Sequence, residues 1–224
     1  MKLNTNTVFI SDDGSKSVYN RLIDESFHSH SGALTESAYV YVFQGFSKFK
    51  SSVVNLLEIG YGTGLNAMLT YKANLLQRNI VQYHGVDTEI LSDDILKALK
   101  SNASMLQIDN EYEFFVEHWN VASQIDDNFM LYKHKCSIHD FCLEEPFDLI
   151  YHDAFSPEKQ PDMWSEELFQ KLFTWLRPGG TLVTYSSKGI VKERLRSAGF
   201  VVKRLKGLPP KRHMLCAFKP ITPE

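Results

Sequence analysis

Val53-Val54-Asn55-Leu56-Leu57-Glu58-Ile59-Gly60-Tyr61-Gly62-Thr63-Gly64 is the stretch that decides the fold. Seven residues of an apolar strand run into three glycines spaced two apart, and Leu65 to about Arg78 then carries the apolar spacing of a helix. A strand, a glycine turn and a helix in that order form the opening unit of a parallel α/β sheet, whose ligands bind at the carboxyl ends of the strands. Two nucleotide chemistries fit the loop. Gly62-Thr63-Gly64-Leu65-Asn66-Ala67 matches G-x-G-x-x-A, the pyrophosphate-binding pattern of NAD and FAD proteins. Glu58, two residues before Gly60, favours S-adenosylmethionine (SAM) instead. A carboxylate there repels a pyrophosphate and tolerates the cationic amino-acid end of SAM.

Strand and helix signals alternate outward from this loop. Tyr83 to Asp87 ends a second strand, and Leu91, Ile95 and Leu99 space a helix. Residues 102–128 read less clearly; Phe114, Phe115, Trp119 and Ile125 are assigned to a helix. Phe129 to Ser137 reads as a third strand or a hairpin, and Phe147 to Tyr151 as a fourth strand. A helix over Leu168 to Trp175 is stopped by Arg177-Pro178-Gly179-Gly180, and a fifth strand follows over Thr181 to Tyr185. A helix over Val191 to Ala198 closes at Gly199. Phe200 to Leu205 and Met214 to Phe218 have no helix between them and are expected to form a hairpin, which puts an antiparallel strand in the sheet. The expectation is a Rossmann-like SAM-dependent methyltransferase fold with a mostly parallel seven-stranded sheet and a C-terminal antiparallel hairpin. Residues 51–224 are taken as that domain. Residues 1–50 are taken as an N-terminal extension packed on it, with a strand at Thr7 to Ile10, a turn at Asp12-Asp13-Gly14 and a helix capped by Thr35.

Composition narrows the class. Of 224 residues, 43% are apolar and 23% charged, which suits a globular domain and excludes a disordered chain. No apolar run is long enough for a membrane span, and the N-terminus lacks a signal core. Three cysteines do not make a disulfide framework. The expected setting is therefore the cytoplasm. The net charge of −3 hides a division: residues 177–224 hold eleven Lys/Arg and two acids, so they carry +9 against −12 for the rest. Such a tail suits an anionic partner, or else is a solvated face.

Candidate site residues follow from position. Asp87 ends the second strand, where an acid accepts hydrogen bonds from ribose hydroxyls. Asp140, after the third strand, stands where an adenine amine is contacted, or is a turn residue. Asp153 ends the fourth strand beside the glycine loop, facing the place where a methyl group is donated. Phe155 and Trp164 offer ring faces, although Trp164 reads equally well as core and Asp162 as a helix N-cap. His134, Cys136, His139 and Cys142 lack a standard zinc spacing, so no metal is expected.

These segments together carry a family resemblance. Leu34-Thr35-Glu36-Ser37-Ala38-Tyr39-Val40, the loop Glu58–Gly64, the block Asp153-Ala154-Phe155-Ser156-Pro157 with Lys159 and Asp162-Met163-Trp164, and Lys211-Arg212-His213-Met214-Leu215-Cys216 resemble the methyltransferase domain of MnmC. MnmC completes 5-methylaminomethyl-2-thiouridine at the tRNA wobble position. The resemblance implies methyl transfer from SAM to the exocyclic amine of 5-aminomethyl-2-thiouridine. It implies Asp153 as the catalytic group, with Glu58, Gly60, Gly62, Gly64, Asp87, Asp140 and Glu36 at the cofactor. Phe155, Lys159, Trp164, Lys188, Lys211 and Arg212 are then expected on the substrate, a tRNA anticodon stem-loop. Bifunctional members add an FAD-dependent oxidase domain. This sequence ends at Glu224, so no FAD is expected and the aminomethyl group would arrive ready-made. The alternative is a SAM-dependent methyltransferase of a small amine or a protein.

Overall fold

The computed structural model describes residues 6–50, 52–109, 112–115, 118–209 and 211–221. The chain opens with a three-stranded antiparallel meander, β1 (Asn6–Ile10), β2 (Lys16–Asn20) and β3 (Glu25–Ser26). Asp13 organises the turn between β1 and β2. Its carboxylate accepts from Ser15 and, across the chain, from the backbone N and the hydroxyl of Thr35 (2.8 Å each). Thr35 therefore does not cap a helix. It lies inside α1 (Ala33–Ser37), anchored to Asp13, and α1 continues as a π-helix over Ala38–Phe43.

The main sheet follows, built from β4 (Val53–Ile59), α2 (Leu65–Gln77), β5 (Ile80–Asp87), α3 (Asp93–Met105), α4 (Tyr112–Phe115), β6 (Ala122–Asp126), β7 (Phe129–Lys135), β8 (Phe147–His152), α5 (Glu166–Trp175), β9 (Leu176–Thr184), α6 (Gly189–Ser197), β10 (Val201–Lys206) and β11 (His213–Phe218). Its order is β10-β11-β9-β8-β4-β5-β7-β6. The five inner strands β9, β8, β4, β5 and β7 are parallel, and antiparallel strands flank them on both sides.

Among the described residues the sheet has eight strands where seven were expected. The additional one is β6, in the segment assigned to a helix. Phe114 and Phe115 are helical, but Ile125 is on a strand. Ile125 alternates with exposed neighbours, burial running exposed–buried–exposed–buried along β6, and period two is a strand signal. The Arg177–Gly180 turn also differs from expectation. The helix stops before it, yet β9 begins at Leu176, paired with Phe147, and rejoins β8 at Thr181 opposite Leu149. Pro178 and Gly179 (φ +82°) are thus an irregularity within a strand. The C-terminal hairpin forms as expected, with Lys203 opposite Cys216.

Two apolar layers sandwich the sheet. Val54, Leu56, Tyr83 and Leu131 pack under α2 and α3 together with Tyr41 and Phe46. Leu57, Ile150 and Leu182 pack on the other face against Trp164, α5 and α6. Leu168, Phe169 and Leu172 of α5 are fully buried, each contributing about 1.5–3 kcal/mol. Ser165 caps α5, accepting from the backbone N of Leu168 at 3.1 Å; Asp162 does not take that part.

The chain passes from β4 to β5 and β7 on one side, then returns to β8 on the other, so the strand order reverses between β4 and β8. That gap is where doubly wound sheets bind ligands. Gly60 (φ +88°) leaves β4 so close to β8 that a Cβ would lie 2.5 Å from the carbonyl oxygen of Asp153. Gly60→Ala is therefore expected to lower stability by about 1–3 kcal/mol, read as a lower urea midpoint at unchanged slope. An unchanged midpoint would mean that the two loops are not in contact.

Candidate active site

A cavity of about 290 Å³ opens over this switch point. Its floor is the glycine loop and Asp153, one wall is Glu36, Tyr41, Tyr185 and Lys211, another is Asp87 and Cys136–Ile138, and its roof is Glu25–Ser29 of the N-terminal meander.

Asp153 is held from two sides. Tyr41 donates to its Oδ1 at 2.6 Å, and the amide nitrogen of Asn66 donates to its Oδ2 at 2.8 Å. Burial outweighs these two donors and pushes its pKa up to about 6; the Glu36 carboxylate raises it further, and Lys211 opposes. The carboxyl thus titrates close to physiological pH, as a proton-accepting group requires. Lys211 is paired with Glu36 at 2.7 Å and lies 4.2 Å over the Tyr185 ring. The Tyr185 hydroxyl donates to the carbonyl of Ala154.

Glu58 does not line the cavity. It is fully buried below it, accepting from Asn66 at 2.8 Å and from the Tyr83 hydroxyl at 2.7 Å. Burial raises its pKa well above the ordinary range. Both amide hydrogens of Asn66 are therefore spent, one on Glu58 and one on Asp153, and this fixes which way the amide points. The side-chain oxygen of Asn66 and the Thr63 hydroxyl are buried and have no hydrogen-bond partner among the described residues. Both residues line the cavity, and unsatisfied buried groups at a site call for a ligand.

Asp87 faces the cavity as expected. Its carboxylate accepts from the backbone N of Gly62 at 2.9 Å and of Glu89 at 3.0 Å. Gly62 and Gly64 both have left-handed φ, and Phe27 lies over Gly62 so closely that a Cβ there would be 2.8 Å from its ring. These features fit SAM. A carboxylate at a strand end suits ribose hydroxyls, bare backbone allows close approach, and unpartnered oxygens accept from an ammonium group.

The other expected residues divide. Phe155 lines the cavity, its ring edge-on to Phe27 at 5.0 Å. Trp164 is wholly buried beneath the loop, where its indole N–H donates to the Phe155 carbonyl at 2.7 Å, so it shapes the loop from below. Lys159 and Lys188 lie outside the cavity wall, paired with Asp24 and Glu158 respectively. Arg212 and Asp140 are exposed and outside the lining as well; from the segment of Asp140, Ser137 and Ile138 line the cavity. His134 hydrogen-bonds His84 at 3.0 Å and stacks on it.

The sequence reading missed Tyr41, Asn66, Tyr185 and the roof. Glu25 binds the backbone N and hydroxyl of Ser156, so the roof is tied to the loop after β8. His28 accepts or donates at Ser17 (2.8 Å) and is kept neutral, its pKa lowered to about 4 by burial and by Lys211. Asn66 had a legible signal, being the first polar residue of a helix that starts on the glycine loop. Glu25 had none.

A family model described as S-adenosyl-L-methionine-dependent methyltransferase matches residues 131–220. The tRNA 5-methylaminomethyl-2-thiouridine biosynthesis bifunctional protein MnmC of Legionella pneumophila (strain Corby) is 31% identical, over 89% of this chain and 35% of its own length. The chain thus spans about a third of the length of the curated relatives it matches. The crystal structure of MnmC2 from Aquifex aeolicus aligns with a TM-score of 0.75 at 21% identity, covering 100% of this chain and 74% of that one. Spermidine synthase from Thermotoga maritima aligns at 0.61 and 12% identity, over 99% of this chain and 71% of that one. At such identities the structural matches establish the fold.

Asp87→Ala is expected to weaken SAM binding on the order of 10- to 100-fold, since hydrogen bonds to a charged group are worth about 1.5–3 kcal/mol; calorimetry reads this directly, and an unchanged affinity would remove Asp87 from the donor site. The fold, the match to the SAM-dependent methyltransferase family model over residues 131–220 and the Legionella alignment over 89% of the chain lead to one conclusion: the chain is homologous to MnmC over about a third of that protein's length and has the fold of SAM-dependent methyltransferases.

Proposed function

We propose that the protein transfers a methyl group from SAM to the exocyclic amine of 5-aminomethyl-2-thiouridine at the wobble position of tRNA, giving 5-methylaminomethyl-2-thiouridine. The observation that carries this reading is the Tyr41–Asp153–Asn66 arrangement on a cavity floor shared with the glycine loop.

A primary alkylamine is mostly protonated at neutral pH, its pKa being near or below the ~10.4 of lysine. It attacks only as the free base. Asp153 receives the ammonium form by charge attraction and takes its proton, while Tyr41 and Asn66 hold both carboxylate oxygens so that the acceptor does not rotate. SAM supplies an electrophilic methyl on a sulfonium. The methyl–sulfur bond breaks as the nitrogen–methyl bond forms, and the nitrogen is left with one hydrogen fewer. Alignment of amine and methyl supplies much of the acceleration. Phe155 and Phe27 give ring faces for the uracil. Lys211 brings a cation to the cavity wall, and Lys192 and Arg196 extend positive charge along α6 for backbone phosphates.

The test is incubation with SAM and tRNA halted at the aminomethyl stage, with nucleosides read by mass spectrometry. Gain of one methyl on the aminomethyl nucleoside is expected, with turnover reduced on the order of 10²- to 10⁴-fold in Asp153→Asn. Full turnover in that variant at saturating SAM would contradict the role of Asp153.

The pH dependence has a defined sign. Asp153 accepts a proton only as the carboxylate, so kcat/KM is expected to fall as pH drops through about 6. Asn66→Ala removes a donor that stabilises the charged form. Its acid limb is expected to move to higher pH; a limb that stays in place would mean that Asn66 does not act on Asp153.

A further inference from the structure

The π-helix Ala38–Phe43 leads away from the cavity wall. Glu36, just before it, is at the wall with Lys211. One turn on is Tyr39, whose hydroxyl donates to the carbonyl of Lys206 at 2.9 Å, which fixes its ring against the β10–β11 hairpin. Next is Phe43, 63% exposed although it is a large apolar side chain. The two rings are nearly parallel, 21° apart in plane with centroids at 5.8 Å. Long π-helical runs are rare and concentrate at functional sites.

Two cations lie on the same side of the sheet as Tyr39. Lys48 follows shortly after Phe43, and Lys203 stands on the face of β10 that packs toward the same side; both ammonium groups lie 5.2 Å from the Phe218 ring centroid. Lys48 and Lys203 are exposed, and neither has a carboxylate partner among the described residues. The paired cations Lys159 and Lys188 differ from them in this. The positive tail is also divided in space. Val191 and Leu195 of α6 pack on the Trp164 side of the sheet, whereas Met214, Cys216 and Phe218 lie on the Tyr41 side. The α6 cations therefore do not explain this second patch.

Resting on the tRNA reading above, we propose that Tyr39 and Phe43 form a stacking platform for an unpaired nucleotide next to the target uridine, with Lys48 and Lys203 on its phosphates. An exposed ring parallel to a half-buried one, with exposed cations that have no carboxylate partner among the described residues on the same side of the sheet, is what a single-stranded nucleic acid recognises, since every base has a face to stack and every linkage a charge. A loop whose target base enters the cavity must also place the neighbouring nucleotide on the rim, and the helix carrying Glu36, Tyr39 and Phe43 starts at the cavity wall. A second copy of this chain fits less well, because it would bring Lys48 and Lys203 against like charge.

The test uses an anticodon stem-loop RNA carrying 2-aminopurine beside the target uridine. Its fluorescence is expected to be quenched on binding the wild-type protein, as stacking requires. Phe43→Ala is expected to relieve the quench and weaken RNA binding by about 5- to 100-fold, the range for losing one stacked base, whereas Phe43→Tyr retains both. Lys203→Gln is expected to make the affinity less dependent on salt. SAM affinity by calorimetry reports that each variant is folded. Equal RNA affinity and quenching in Phe43→Ala would overturn the platform, as would a wild-type dimer that Phe43→Ala turns into a monomer. If wild-type protein methylates the RNA while Phe43→Ala binds it equally well, only the platform falls. If wild-type protein binds no stem-loop RNA, the tRNA reading falls with it.

Discussion

The contact between the ends of β4 and β8 is the constraint on which the site depends. The backbone N of Asp153 donates to the carbonyl of Ile59 at 2.9 Å, and Gly60 leaves no room for a side chain between the two strands. This closeness puts the glycine loop and Asp153 on one floor. It also puts Asn66, on the first turn of α2, within reach of both Glu58 and Asp153. One amide thereby joins a carboxyl that never sees solvent to one that faces the cavity.

The electrostatics follow from that geometry. Glu58, Asp87 and Asp153 crowd a small volume, and burial raises the pKa of each. Three acids gathered this way disfavour one another's ionised forms and favour a cationic ligand. The proposed sulfonium donor and alkylammonium acceptor both supply positive charge. Lys211, the cation on the wall, is already paired with Glu36. The roof adds enclosure: Glu25 on Ser156 and Asp24 on Lys159 tie the N-terminal meander to the loop after β8, so residues outside the sheet help to dry the site. Water exclusion strengthens every charge interaction inside it.

Much of this was legible in the sequence, and the rest was not for identifiable reasons. The parallel strands showed because they are buried on both faces and read as apolar runs, and the C-terminal hairpin showed because no helix separates its strands. β6 was obscured because Phe114, Phe115 and Trp119 precede Ile125 at spacings that imitate a helix. The meander's β2, Lys16-Ser17-Val18-Tyr19-Asn20, shows no alternation of polar and apolar residues, and Ser17 is buried as completely as Val18, so hydrophobicity does not mark it. Asp153 and Asp87 were singled out as acids at strand ends, and the structure puts both in the cavity lining. Glu58 was found for a different task from the one it performs: the acid before the glycines points beneath the loop, where it holds Asn66 and Tyr83. Tyr41 and Glu25 act across more than a hundred residues of sequence, and no local spacing announces such partners. The basic tail was visible as a total, but its division between the two faces of the sheet depends on strand register.

The most direct measurement is a crystal structure with S-adenosylhomocysteine bound. The account predicts ribose hydroxyls on Asp87, the amino-acid end near the Thr63 hydroxyl and the Asn66 carbonyl oxygen, and the sulfur directed toward the open side of Asp153. A nucleoside bound away from the β4–β8 gap, or a sulfur facing away from Asp153, would contradict it.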